Sequence, residues 1–206
     1  MLENLIVGAE GFVKIKDHAT GEILVDKKNA VHFGNLAKAI AKSLAWSDAG
    51  HIKYMAFGNN GTTIDSSGVI VYKQSNTSLV YDPNASLYQT TLVKEIESGN
   101  SNATISYEPF GITSSNYADV VVTVLLGENE PVGQDDVDNS DGTGEFVFDE
   151  IALWAGEPDL SNDILNDTHN NNESLMLTHV IFHPVQKSAN RIIEIEYTLR
   201  IQMGKN

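Results

Sequence analysis

The chain contains no cysteine, which excludes disulfides, zinc–thiolate sites, iron–sulfur clusters and a thiol nucleophile. It also lacks any apolar run near the ~20 residues that a bilayer-spanning helix requires. The start, Met1-Leu2-Glu3-Asn4, has no basic stretch, and Leu5-Ile6-Val7 is too short for a signal-peptide core, so a secretory route is not expected. Basic residues are scarce: 13 Lys and Arg against 28 Asp and Glu leave a formal charge of −15. Phosphate backbones and anionic bilayers repel such a chain at long range, so neither nucleic acid nor membrane is expected as a partner. Catalytic signatures are missing too, with no Gly-x-Ser-x-Gly elbow, His-Glu-x-x-His helix or Walker loop. No catalytic residue and no cofactor are therefore assigned.

What is present reads as strands. Gly11–Lys16 and Glu22–Val25 are β-prone runs joined by Asp17-His18-Ala19-Thr20-Gly21, a turn whose glycine can take positive φ. Further runs lie at Ile52–Phe57, Val69–Tyr72, Leu87–Ile96, Tyr117–Leu126, Glu145–Trp154, Leu175–Phe182 and Ile192–Met203. In the last of these, Ile193, Ile195, Tyr197, Leu199 and Ile201 alternate with Glu194, Glu196, Thr198, Arg200 and Gln202. One wet and one buried face is the mark of an antiparallel sheet. A single helix is expected near residues 30–45, where Phe33, Leu36, Ala37, Ile40, Ala41 and Leu44 recur at three- and four-residue spacing. Asn29 or Asn35 would cap it, and Gly34 weakens its first turn. The expectation is one mainly β domain over 1–206, antiparallel and sandwich-like, with one flanking helix and long polar loops.

Three polar excursions interrupt this scaffold, at Gln74–Ser86, Gly127–Gly144 and Gly156–Ser174, and loops of that length are natural contact elements. Asn-x-Ser/Thr triplets, among them those at Asn76, Asn84, Asn102, Asn166 and Asn172, read as loop composition in a chain without a signal.

Four groupings invite a chemical reading. Asp136, Asp138 and Asp141 alternate oxygen ligands in the manner of a calcium loop, but Asp141 stands where an EF-hand needs glycine, so a solvated acidic turn is the simpler expectation. His179 and His183 would share a strand face, yet four residues at ~3.3 Å each put them roughly 13 Å apart, too far to hold one metal. Phe57-Gly58-Asn59-Asn60-Gly61-Thr62-Thr63 has the outline of a phosphate loop without its lysine or its following helix, and reads as a turn. Asp149 and Glu150, being adjacent on a strand, are expected on opposite faces and so unable to share a substrate.

The runs Thr20–Asn35, Met55–Gly61, Phe148–Leu153 and Leu177–Ser188 resemble virion structural proteins of tailed bacteriophages, most of all those of contractile-tailed cyanophages. The resemblance implies a particle component made in the host cytoplasm and residing in the virion. It would bind other virion structural proteins as a homo-oligomer or symmetric array, in the tail or baseplate region. A capsid decoration protein is the structural alternative. A carbohydrate-binding module, stacking sugars on Trp46, Trp154, Tyr81 or Tyr88, is the alternative from another class.

Overall fold

A computed structural model describes residues 5–96, 101–108, 116–131, 145–156 and 174–205. Its strands are β1 (Leu5–Asp17), β2 (Ile23–Val31), β3 (Ile52–Gly58), β4 (Thr62–Ile64), β5 (Ile70–Tyr72) and β6 (Thr90–Glu95). They continue with β7 (Ala103–Glu108), β8 (Tyr117–Leu126), β9 (Glu145–Ala155), β10 (Leu175–Met176), β11 (Thr178–Ser188) and β12 (Ile193–Lys205). The α-helix α1 (Phe33–Leu44), followed by a 3-10 turn at Asp48–Gly50, joins β2 to β3.

The main sheet is antiparallel throughout, in the order β6-β3-β9-β11-β2-β1-β12-β8-β7, with β10 beside β9. It curls until it is nearly closed, so its inner face makes the core that the alternating sequence calls for. Val13, Ile15, Val122, Val124, Ile193, Ile195 and Tyr197 point inward, with Phe57, Phe146, Phe148 and Phe182 at the centre. Phe148 meets Phe57 and Phe182 edge-on at centroid separations of 5.4 and 5.8 Å and stacks on Phe146 at 5.4 Å, geometries that suit ring quadrupoles. The edge strands β6 and β7 face each other across a seam. One end of it is clamped by the Lys94 ammonium, which donates to the Leu125 carbonyl at 2.6 Å and to both Glu130 carboxylate oxygens.

β3 and β9 are buried on both faces. Tyr54, Ala56, Ala152 and Trp154 form a second apolar layer outside the sheet, together with Met176, Ala85 and Leu87. The cover comes from residues 73–89, a strap that includes the first polar excursion, Gln74–Ser86, and lies over the sheet. Helix α1 docks Leu36 and Ala39 against Val31, Leu177 and Leu199 at one end of the curled sheet.

Two sequence expectations about this helix are corrected. Its N-cap is His32, whose Nδ1 accepts from the Asn35 amide at 3.3 Å, whereas Asn29 sits inside β2. Burial pushes the His32 pKa down, in keeping with a ring that serves as an acceptor. Gly34 is there for contact rather than as a weak helix residue: a Cβ on it would stand 2.2 Å from the Tyr81 nitrogen and the Val80 carbonyl carbon. The strap's main chain lies directly on the first turn. Two strands outside the expected set, β4 and β7, are short or exposed, and neither contributes a long apolar run.

The β1–β2 hairpin turns as expected, with Gly21 at φ 72°. Asp17 holds it, accepting from the Ala19 and Thr20 amides and from Arg191 Nε at 2.7 Å. The Arg191 guanidinium and the Thr20 donors hold the Asp17 carboxyl down to about 2, against its ordinary 3.8. The ionised form is therefore favoured by folding. Its contribution is complete above the unfolded value and is lost as pH falls from about 4 through about 2. In urea melts, wild type is expected to exceed Asp17→Asn in stability at pH 6, and the two are expected to converge as the pH approaches 2.

We expect Gly34→Ala to destabilise by about 1–3 kcal/mol, because overpacking against a main chain outweighs the gain in helix propensity. Denaturant melts check the sign.

Candidate functional site

The largest concentration of buried polar groups lies where β9, β11 and the strap meet. Inward-facing apolar residues on β9 are Phe146 and Phe148 before this point, then Ile151 and Leu153 after it. The parity switches from even to odd. β11 opposite is irregular in the same place, pairing Ile181 with Glu150 but Val185 with Phe148. His183 and Pro184 fall in the irregular stretch, where a residue without an N–H costs no ladder bond. The switch corrects the expectation that Asp149 and Glu150 face opposite ways: both carboxylates reach the loops that lie against β9.

Glu150 is fully buried, and four donors converge on it. Oε1 accepts from the amides of Gln89 at 3.0 Å and Asn60 at 3.4 Å. Oε2 accepts from the Tyr88 amide at 3.0 Å and from His179 Nε2 at 2.9 Å. His179 is likewise fully buried, and its Nδ1 lies 2.8 Å from the Asn76 amide. An amide can only donate, so Nδ1 presents its lone pair and the ring proton sits on Nε2, facing the carboxylate. Asp149 takes the amides of Gly61 at 2.8 Å and Thr62 at 2.7 Å, along with the Thr62 hydroxyl. Burial pushes the Asp149 carboxyl up, while the Thr62 and Gly61 donors pull it down.

The loop with a phosphate-loop outline is therefore an amide cradle already filled by the chain's own carboxylates. A Cβ at Gly58 would sit 2.5 Å from Glu150 Oε1, so the closeness of this fit requires glycine there. Asn35 completes the attachment from the helix side. Its amide nitrogen donates to the carbonyls of Asp82 at 2.8 Å and Met176 at 3.0 Å, and its oxygen accepts from the Asp82 amide at 2.9 Å. The Asn76 side chain closes the strap on itself by donating to the Ser86 carbonyl. Gln74–Ser86, read from sequence as a free contact loop, is thus tied down at both ends and in the middle.

These groups are spent on structure. Every Glu150 oxygen and both His179 nitrogens are engaged, and such satisfaction is the condition for burying them at all. His183 is exposed and 3.4 Å from the Tyr72 hydroxyl, so the two histidines occupy different environments. Among the described residues, no group of three or more His, Asp or Glu side chains is placed to hold a metal. Asp136, Asp138 and Asp141 lie outside the described residues. No described helix is long and apolar enough to cross a membrane.

The aromatic candidates are scattered. Trp154 is buried in the outer layer. Tyr88 lies against His179 and under Lys73, whose ammonium is 4.4 Å from the ring centroid. Tyr81 lies by the helix N-terminus, whereas Trp46 follows its C-terminus at φ 61° with 96 % of its surface exposed. The helix between them has 12 residues and so is about 18 Å long at 1.5 Å per residue, which sets the two aromatics at opposite ends of it.

Exposed apolar side chains mark the strap. Leu79 and Val80, at the crest of the strap, are 80 % and 72 % exposed, and Phe33 lies beside them. No signal in the sequence separates these from the core residues of neighbouring strands, because their exposure follows from the strap's path.

Comparison with protein-family models, with curated proteins and with solved structures finds no match.

Removing the Glu150 carboxylate leaves an imidazole N–H and three amides without a partner. Glu150→Ala is expected to cost about 3–5 kcal/mol in urea unfolding, the range for breaking a buried charged interaction. Limited proteolysis of the variant should cut first within residues 73–89; cleavage confined to other loops would contradict the anchoring role.

Proposed function

We propose that this chain is a virion structural protein of a tailed bacteriophage, an assembly component of the tail or baseplate region that binds other virion proteins. The observation that carries the reading is the apolar crest of Leu79, Val80 and Phe33, presented on a segment that is fastened rather than loose. Exposed apolar surface on a well-anchored support is what association with another protein uses. The buried ionisable groups are engaged in holding that support, so they do not favour a competing catalytic reading. The kind of assembly rests on the resemblance of Thr20–Asn35, Met55–Gly61, Phe148–Leu153 and Leu177–Ser188 to tailed-phage virion proteins. A symmetric array would use one such patch repeatedly, so modest contacts would add through multivalency.

The test has two parts. Mass spectrometry of purified particles from the encoding phage should find the chain, and labelled antibody should decorate tails; label on heads alone would favour a capsid decoration role. Purified Leu79→Asp/Val80→Asp is expected to lose co-assembly with its virion partners while its melting behaviour stays within about 0.5 kcal/mol of wild type, as surface changes do. Absence of the chain from particles would overturn the proposal.

A further inference from the structure

Where the seam between β6 and β7 is not clamped, it opens into a cleft of about 610 Å³ between α1 and the inner face of the sheet. Leu36 and Ile40 of α1 form one wall, and Ile52, Ile105, Val120 and Ile201 form the others. The aliphatic lining carries two basic groups at the mouth, Lys53 and His51, the latter with its Nδ1 3.9 Å from the exposed Asp48 carboxylate. In a chain with 28 acidic and 13 basic residues this is unusual company. Several cations of the described chain are matched to carboxylates, as in Lys16–Glu194, Lys94–Glu130 and Arg200–Asp119, and others to carbonyls or rings, as Lys27 and Lys73 are, whereas among the described residues no ion pair, hydrogen bond or ring contact is found for the Lys53 ammonium.

The cleft runs beside β7, the last strand of the sheet, which pairs with β8 along one edge only among the described residues. Ile105 of β7 faces the cleft, while Thr104, Ser106 and Glu108 alternate with it on an exposed, polar side. A strand laid along the free edge, ~4.8 Å from β7, would send every second side chain into the cleft and the others to water.

We propose that this cleft takes an extended peptide segment of a partner protein, added as a strand to β7, with apolar side chains on Ile105, Val120 and Ile201 and a carboxylate on Lys53 and His51. The Lys53 ammonium favours an acidic or C-terminal segment, and the β7 edge left unpaired among the described residues favours a peptide over a lipid. The proposal rests on the reading that this chain binds other proteins, and it assigns that binding a second surface, distinct from the strap crest.

The probe is a synthetic hexapeptide of alternating valine and threonine with a free C-terminal carboxylate, compared with its amidated twin and with oleate. Titrated into the full chain, the free-acid peptide should slow hydrogen exchange of the β7 amides. The amidated twin should bind up to about fivefold more weakly, the upper range for one exposed ion pair. Lys53→Met should abolish the difference between the two peptides, and Ile105→Glu, at a partly exposed edge position, should weaken binding more than tenfold. Oleate binding without peptide binding, peptide binding that leaves β7 exchange unchanged, or no peptide binding at millimolar concentration would each overturn the proposal. Incorporation of the chain into particles alongside any of those results would remove the cleft and leave the assembly reading intact. Absence from particles would remove the assembly reading whatever the peptide does.

Discussion

A buried carboxylate is tolerable only when donors replace its water, and Glu150 obtains four of them from three separate stretches of chain. That requirement organises the surrounding architecture. It draws the β3–β4 turn, the end of the strap and the β11 histidine to one point, and it fixes the tautomer through which His179 holds Asn76. The two-sided burial of β3 and β9 follows, because a strap fastened at Tyr88, Gln89 and Asn76 must lie across their outer face. Asn35 does the same from the helix, so α1 and the strap are positioned by one another.

Much of the scaffold is legible in the sequence because its physical cause is local. The alternation in β12 is a direct imprint of one wet and one dry face, and the periodicity of α1 is equally direct. The β1–β2 turn announces itself through Asp17 and Gly21. The capping of α1 is less accessible: His32 is not a common cap, and it is available because the preceding residues of β2 deliver it buried at the sheet's end.

The polar cluster is hidden for a different reason. Glu150 and His179 are 29 positions apart, and the amides they serve carry no side-chain signature at all. One clue does stand in the sequence, the pair Asp149-Glu150 set between two apolar runs of a strand, but the parity switch itself is masked there because Val147, Ala152 and Trp154 are apolar too. Glycines at 58 and 61 add a second hint, since chain and carboxylate approach closely there. The exposure of Leu79 and Val80 has no comparable trace, because it depends on the route taken by the whole strap.

That strap bears on how association would proceed. A segment that ordered itself only on meeting a partner would surrender conformational entropy at that moment, making each contact weaker and more dependent on temperature. Here the main chain is already held by Glu150, His179 and Asn35 before any encounter. Under the proposed assembly role, successive copies would then meet neighbours as rigid bodies, with similar affinity at each step and little need for a template to shape them.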